Sequence, residues 1–152
     1  MAVFREDPYG AFNFLVALGG AQGDGGPGTV VGGFSEVSGL GMSIEYIEYR
    51  NGNERVSTRR KIPGLTKVHD VTLKRGVVGS TDLFAWIRAA AQGTVDQRNV
   101  TITLLDGEKQ PVVTWLLRNA QPSGWLGPTL RAKDGSIALE ELRLVCEGLD
   151  ME

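Results

Sequence analysis

One stretch of this chain has a convincing helical period, and most of the other apolar runs read as strands. The helical stretch is "STDLFAWIRAAAQG", residues 80–93, where Leu83, Phe84, Trp86, Ile87 and Ala90 or Ala91 form an apolar stripe. Ser80 or Thr81 is placed to accept hydrogen bonds from the free amides of the first turn, and Asp82 suits the positive helix end. Gly93 can close the helix in the left-handed conformation. The spacing predicts a helix over about 81–92 with Leu83, Phe84, Trp86 and Ile87 on its core face. With no alternation of strands and helices, no parallel nucleotide-binding sheet is expected. The fold class narrows to mainly β, antiparallel, with one flanking helix.

The strands follow from alternation and from glycine punctuation, which 21 glycines in 152 residues supply freely. "AFNFLVAL" puts Phe12, Phe14, Val16 and Leu18 on one face. "TVVGGFSEVSGLG" is a strand broken at Gly32-Gly33. "MSIEYIEYR" sets Met42, Ile44 and Tyr46 against Ser43, Glu45, Ile47 and Tyr49, and "HDVTLKRGV" puts Val71 and Leu73 together. "NVTITLLDG" ends at Asp106-Gly107, a two-residue hairpin signal, and "QPVVTWLLRNA" pairs back on it. "SIALEELRLVCEGL" follows a turn at Asp134-Gly135. Three segments are expected outside regular strands: the glycine-rich Gly19–Gly28, "QPSGWLGPTLRAKDG" as loop or short edge strand, and "NGNERVSTRRKIPGLTKV" as an extended loop over about 50–68. Six or seven strands and one helix fit a single domain over 1–152.

Composition and motifs exclude several function classes. A net charge of −2 gives no global case for nucleic acid or an anionic membrane surface. A lone cysteine, Cys146, rules out an intrachain disulfide framework and is expected as a small buried hydrophobe. No signal-peptide pattern opens the chain, and no apolar run reaches the roughly 20 residues of a membrane span. Gly23, Gly25 and Gly28 match a dinucleotide fingerprint in spacing, but Pro27 sits inside it and no helix follows. His69 is the only histidine, so neither a metal site nor a hydrolytic triad with Ser35 or Ser38 gathers enough partners. Glu140 and Glu141 are adjacent in a strand and point to opposite faces, which disqualifies them as a carboxylate pair. The expectation is a non-enzyme without cofactor or metal.

Charge is distributed unevenly. Residues 50–75 carry eight basic side chains, among them Arg55, Arg59, Arg60 and Lys61, against Glu54 and Asp70. Residues 134–152 reverse this, with Asp134, Glu140, Glu141, Glu147, Asp150 and Glu152 against Arg143. Solvated loops would show such runs. A self-complementary surface would show them too, the basic loop of one copy meeting the acidic segment of the next in a head-to-tail contact.

"DPYGAFNFLVAL", "GGFSEVSGLGMSIEYIEYRNG", "RRKIPGLTKVHDVTLKRGVVGSTDLFAWI" and the ending "EELRLVCEGL" resemble, in order and over nearly the whole length, the tail tube proteins of contractile phages and of extracellular contractile injection systems. The resemblance implies a two-sheet antiparallel β-sandwich or barrel-like fold. It implies homo-hexameric rings stacked into a hollow tube, which passes cargo or DNA through a target envelope. The implied partners are further copies of the chain, a sheath around the tube, and baseplate and terminal cap proteins. Synthesis in the bacterial cytoplasm and incorporation into a phage tail or extracellular tail-like particle follow from the same resemblance. It places the loop after "IEYRNG" between rings, so Arg55, Arg59, Arg60 and Lys61 are expected to contact Glu140, Glu141, Glu147 or Asp150 of the adjoining ring. Two related roles remain open: a baseplate-proximal tube initiator, and a secreted hexameric ring protein like those of type VI secretion.

Overall fold

The computed structural model describes residues 2, 4–19, 29–30, 33–133 and 135–152, with strand pairing alone given for 29–30. The expectations for most of the Gly19–Gly28 segment, for Gly32 and for a turn at Asp134 lie outside those residues. Among the described residues, ten strands and one helix follow in order: β1 Phe14–Leu18, β2 Thr29–Val30, β3 Glu36–Ser38, β4 Met42–Tyr49, β5 Arg60–Val68, β6 Val71–Gly76, α1 Asp82–Ala91, β7 Arg98–Leu105, β8 Pro111–Leu126, β9 Leu139–Val145 and β10 Gly148–Met151.

The alternating runs become antiparallel strands, and, apart from the run 42–49, their apolar faces meet in one core. β2, β1, β7, β8, β9, β6 and β3 pair in that spatial order, and β10 adds to β8. β1 and β7 contribute Val16, Leu18, Val100 and Ile102; β6 and β9 contribute Val71, Leu73, Leu142 and Leu144. Leu83 and Trp86 of α1 join this cluster, and the helix packs against β8. The two layers of the sandwich are therefore one sheet folded over, as the period-two pattern requires if each strand is to bury only one face.

β8 makes the fold possible. The sequence suggested a strand over its first part and a loop or short edge strand beyond, and the strand runs unbroken to Leu126 through Pro122 and Gly124. Its register against β7 slips by one residue between Leu117 and Ala120, where Asn119 takes a left-handed φ of 51°. A second irregularity falls between Pro122 and Gly124 against β9. Bulges of this kind bend a strand and increase its twist, so the first part of β8 serves one layer and the second part the other. β9 and β10 follow one another along the same edge in unbroken register, from Val145 opposite Gln121 to Gly148 opposite Arg118. The single last strand read from the sequence is thus two strands with a break at Cys146-Glu147.

Three local expectations are corrected. Phe12 does not join the β1 core face and is 81% exposed, because β1 starts only at Phe14. The helix has no side-chain cap from Thr81, and Ser80 Oγ donates instead to Asp82 at 2.6 Å. The turn after β7 is longer than the Asp106-Gly107 signal suggested. Asp106 Oδ1 accepts from the amides of Glu108 and Gln110, and Lys109, not Gly107, is left-handed at φ 64°. Gly93 does close the helix with φ 91°.

Candidate assembly surface

The second half of the segment expected as a loop over 50–68 is a strand. β5 occupies Arg60–Val68 and pairs with β4 from Met42 opposite Val68 to Tyr49 opposite Arg60, so the loop shrinks to the tip. Pro63-Gly64, a turn signal in most settings, is absorbed as a bulge where the register slips between Ile44 and Tyr46. A Cβ on Gly64 would lie 2.9 Å from the Glu45 carbonyl oxygen, a backbone approach only glycine permits without a shift. The hairpin leaves the body between β3 and β6. His69 N–H donates to Gly41 O at 2.9 Å at its base, and Gly39 nearby has φ 90°.

This arm is apolar and uncovered. Met42, Ile44, Tyr46, Ile47, Tyr49 and Ile62 are each about half exposed. β4 and β5 pack on one another and make no more than marginal contact with any other described element. A two-stranded ribbon in water is marginally stable at best, so an apolar one of this length needs a covering surface from elsewhere.

The tip is held by its own charges. Arg50 donates to the carbonyls of Val56 (3.0 Å) and Glu54 (2.9 Å). Arg59 pairs with Glu48 at 3.0 Å and Arg60 with Glu54 at 3.0 Å, while Lys61 stands opposite Glu48 in the ladder. The basic residues predicted for contacts between copies are thus gathered on one arm, Arg55 in its tip, and two of them are engaged within it.

The acidic residues predicted as their counterparts are not one surface. Glu140 is 5% exposed, which overturns its assignment to an intermolecular contact. The physical reason lies in β6: Arg75 Nε donates to Glu140 Oε1 at 2.6 Å, and Trp125 Nε1 donates to Glu140 Oε2 at 3.2 Å. The same guanidinium pairs with Asp82 at the start of α1. Burial disfavours charge on Arg75, but the hydrogen bonds it donates to Asp82 and Glu140, with their charges, outweigh that and raise its pKa. Glu141 turns to the other face, 3.3 Å from Lys74, and its hydrogen bond and charge raise the lysine pKa. Glu147 accepts from Asn119 Nδ2 at 2.8 Å, and Asp150 pairs with Arg118 at 3.2 Å.

The helix residues also divide. Leu83 and Trp86 are buried, with Trp86 Nε1 donating to Asp96 O at 2.9 Å. Ile87 is half-buried. Phe84, predicted for the core, is 43% exposed because the stripe is narrower than the sequence suggested; its ring meets the edge of Trp125 at 5.2 Å. Cys146 is half-buried beside the core, and burial, with the charge of Asp70, raises its thiol pKa.

Ser35 Oγ donates to the Lys74 carbonyl, while His69 sits at the arm base against Gly41. A cleft of about 370 Å³ opens where β3 fails to meet the opposite layer, lined mainly by Phe14, Val37, Leu40, Ile102, Leu104 and Trp115. Among the described residues no group of three or more His, Cys, Asp or Glu side chains could hold a metal ion. No described helix is long and apolar enough to cross a membrane.

Residues 10–150 match the family model described as T4-like virus tail tube protein gp19. Among solved structures, a chain in the extended-state sheath-tube complex of the extracellular contractile injection system PVC is 31% identical, with a TM-score of 0.81 over 97% of this chain and 93% of that one. A chain in the six-fold symmetrised baseplate of the anti-feeding prophage is 25% identical, with a TM-score of 0.83 over 97% of each. Hcp1 from Flavobacterium johnsoniae shares the fold more distantly, at 14% identity and a TM-score of 0.50 over 90% of this chain and 94% of that one. No curated protein matches the chain.

Proposed function

The chain belongs to the T4-like virus tail tube protein family, and on that premise we propose that its work is mechanical. It is an inner-tube subunit of a contractile injection system or phage tail-like particle. Copies close into hexameric rings that stack into a hollow tube for cargo or DNA, with a sheath around it and baseplate and cap proteins at its ends. It is made in the bacterial cytoplasm and acts without enzymatic chemistry. A secreted ring protein of the type VI kind is the weaker alternative, since likeness to Hcp1 falls to a TM-score of 0.50 against 0.81 for the PVC chain.

The observation that carries the proposal is the arm. An exposed apolar hairpin that no other described element of its own chain covers makes sense in an assembly, where neighbouring copies bury it. The basic cluster Arg55, Arg59, Arg60 and Lys61 then lies at the arm's tip, positioned to meet an adjoining ring. Glu141, Glu147 and Asp150 remain its candidate acidic counterparts, since each keeps partial exposure despite an internal partner.

Electron microscopy of the purified full chain tests this. Rings and tubes that lengthen with concentration are expected. A monomer by light scattering at every concentration would overturn the proposal.

A further inference from the structure

Of the asparagines in this chain, only Asn51 precedes a glycine. It stands at the tip of the arm, two residues past Tyr49, which makes the last rung of the ladder with Arg60. Its carboxamide closes the tip. Tyr49 Oη donates to Asn51 Oδ1 at 2.6 Å, Asn51 Nδ2 donates to Glu54 Oε1 at 3.2 Å, and Glu54 N–H donates to Asn51 O at 3.1 Å. The same Glu54 carboxylate pairs with Arg60 at 3.0 Å. Neither backbone nor space demands the glycine at 52. Its φ lies outside the left-handed region, and a Cβ there would meet nothing within 4 Å. What glycine does here is leave the backbone nitrogen after Asn51 uncrowded. Side chains crowd the corresponding nitrogens of Phe14, Glu54, Val100 and Ala120, which follow Asn13, Asn53, Asn99 and Asn119. Gly52 and Asn53 are exposed, so water and base reach the site.

We propose that Asn51-Gly52 is a self-modification site whose conversion unlocks the tip of the arm. Solvent base takes the proton of the Gly52 backbone nitrogen, and that nitrogen attacks Asn51 Cγ to form a new C–N bond. The Cγ–Nδ2 bond breaks, and Nδ2 leaves as ammonia with the proton the base has carried. The product is a five-membered cyclic imide. Water opens it at Cγ to give aspartate, or at the main-chain carbonyl carbon to give isoaspartate, whose chain runs through the side chain. The net change is carboxamide and water to carboxylate and ammonia, with no oxidant or reductant consumed. The Tyr49 hydroxyl already points at the oxygen on which negative charge gathers during the attack, a placement that favours the step. The consequence follows from the neighbours. The group facing Glu54 changes from a donor to a carboxylate where Asn51 Nδ2 now stands 3.2 Å away. Two carboxylates sharing one site repel, and the donor that held Glu54 is gone. Isoaspartate also lengthens the main chain inside the turn that Glu54 N–H closes on Asn51 O. Both products therefore loosen the tip. The assignment does not rest on the tube-subunit reading.

Peptide mapping of the dispersed full chain, warmed at mildly alkaline pH, tests the site. Trypsin cleaving after Arg50 and Arg55 releases residues 51–55, and fragmentation separates Asn51 from Asn53. Asn51 should gain about 1 Da, an NH2 replaced by an OH, ahead of every other asparagine. Methyl transfer by an isoaspartate methyltransferase should then count the isoaspartate fraction. Gly52→Ala, which the open space tolerates, should slow Asn51 to the pace of the other asparagines. An intact Asn51 carboxamide after a time that converts a synthetic peptide of residues 49–56 overturns the site, as does equal conversion in Gly52→Ala. Hydrogen exchange tests the unlocking. Asn51→Asp, which carries the hydrolysed side chain on a normal main chain, should exchange the Glu54 amide several-fold faster than the wild type and leave the β7 amides unchanged. An unchanged Glu54 rate overturns the unlocking. Both readouts come from dispersed chain, so a failure to form rings or tubes sinks the tube-subunit reading and leaves these tests standing.

Discussion

Arg75 and Glu140 form a charged pair almost out of reach of water: the nitrogen and oxygen are 2.6 Å apart, and the side chains are 3% and 6% exposed. With Asp82 on the same guanidinium and Trp125 on the same carboxylate, one arginine of β6 ties β8, β9 and the start of α1 together. Charge withdrawn from water in this way is tolerable only while every partner is present.

Removing one member of the pair should therefore be severe. Arg75→Met or Glu140→Leu alone should each cost about 3–5 kcal/mol by leaving an uncompensated buried charge. The double variant should cost clearly less than the sum of the two. Urea unfolding of dispersed subunits measures this, and additive losses would show that the residues act independently.

Asp82 should confer an acid-side dependence on stability. Burial pushes its carboxyl pKa up, but hydrogen bonds from Arg75 and Ser80 and the arginine charge outweigh that and hold it at about 2, against an ordinary 3.8. A group with a depressed folded pKa contributes stability that is complete above its unfolded value and lost as pH falls through its folded one. The window thus runs from 3.8 down to about 2. Its size is limited by the 38% exposure of the side chain. The unfolding midpoint should fall more steeply across this window in the wild type than in Asp82→Asn; parallel profiles would refute the role of the carboxylate.

The two large aromatics of the helix should separate by experiment. Trp86 is 2% exposed, donates to Asp96 O and carries the Arg98 guanidinium 4.6 Å from its ring centre. Trp86→Ala should cost about 3–5 kcal/mol. Phe84→Ala removes a half-exposed ring and one edge contact, so about 1 kcal/mol is expected in dispersed subunits. Equal losses from the two variants would contradict the burial difference.

The basic cluster should act on stacking and not on ring closure. Changing Arg59, Arg60 and Lys61 to Glu should give rings that fail to stack, and high salt should mimic this, since exposed charges are screened over about 8–10 Å. The same change breaks the Arg59–Glu48 and Arg60–Glu54 pairs within the arm. A charge swap, Arg59→Glu with Glu48→Arg, isolates the difference. Restored stacking in the swap would mean that the charges shape the arm, and persistent failure that they meet the next ring. Tubes of wild-type length from the triple variant would remove the cluster from assembly altogether.

Period and punctuation determined much of this protein in advance. Alternation in "HDVTLKRGV", "NVTITLLDG" and "EELRLV" fixed which side chains face inward, because a strand sends successive residues to opposite faces wherever it pairs. The single helical stripe located α1 and its buried pair, Leu83 and Trp86. What the sequence could not decide was everything set by partners distant along the chain. Pro122 and Gly124 are strand breakers in isolation, yet β7, β9 and β10 hold β8 extended past the bulge at Asn119. Pro63 and Gly64 signal a turn, yet pairing with β4 carries β5 straight through them. Glu140 reads as a surface acid until Arg75, 65 residues away, is placed beneath it. Local sequence sets propensity and facing, whereas the cost of an unpaired backbone group or a buried charge is settled only when the rest of the fold delivers its partner.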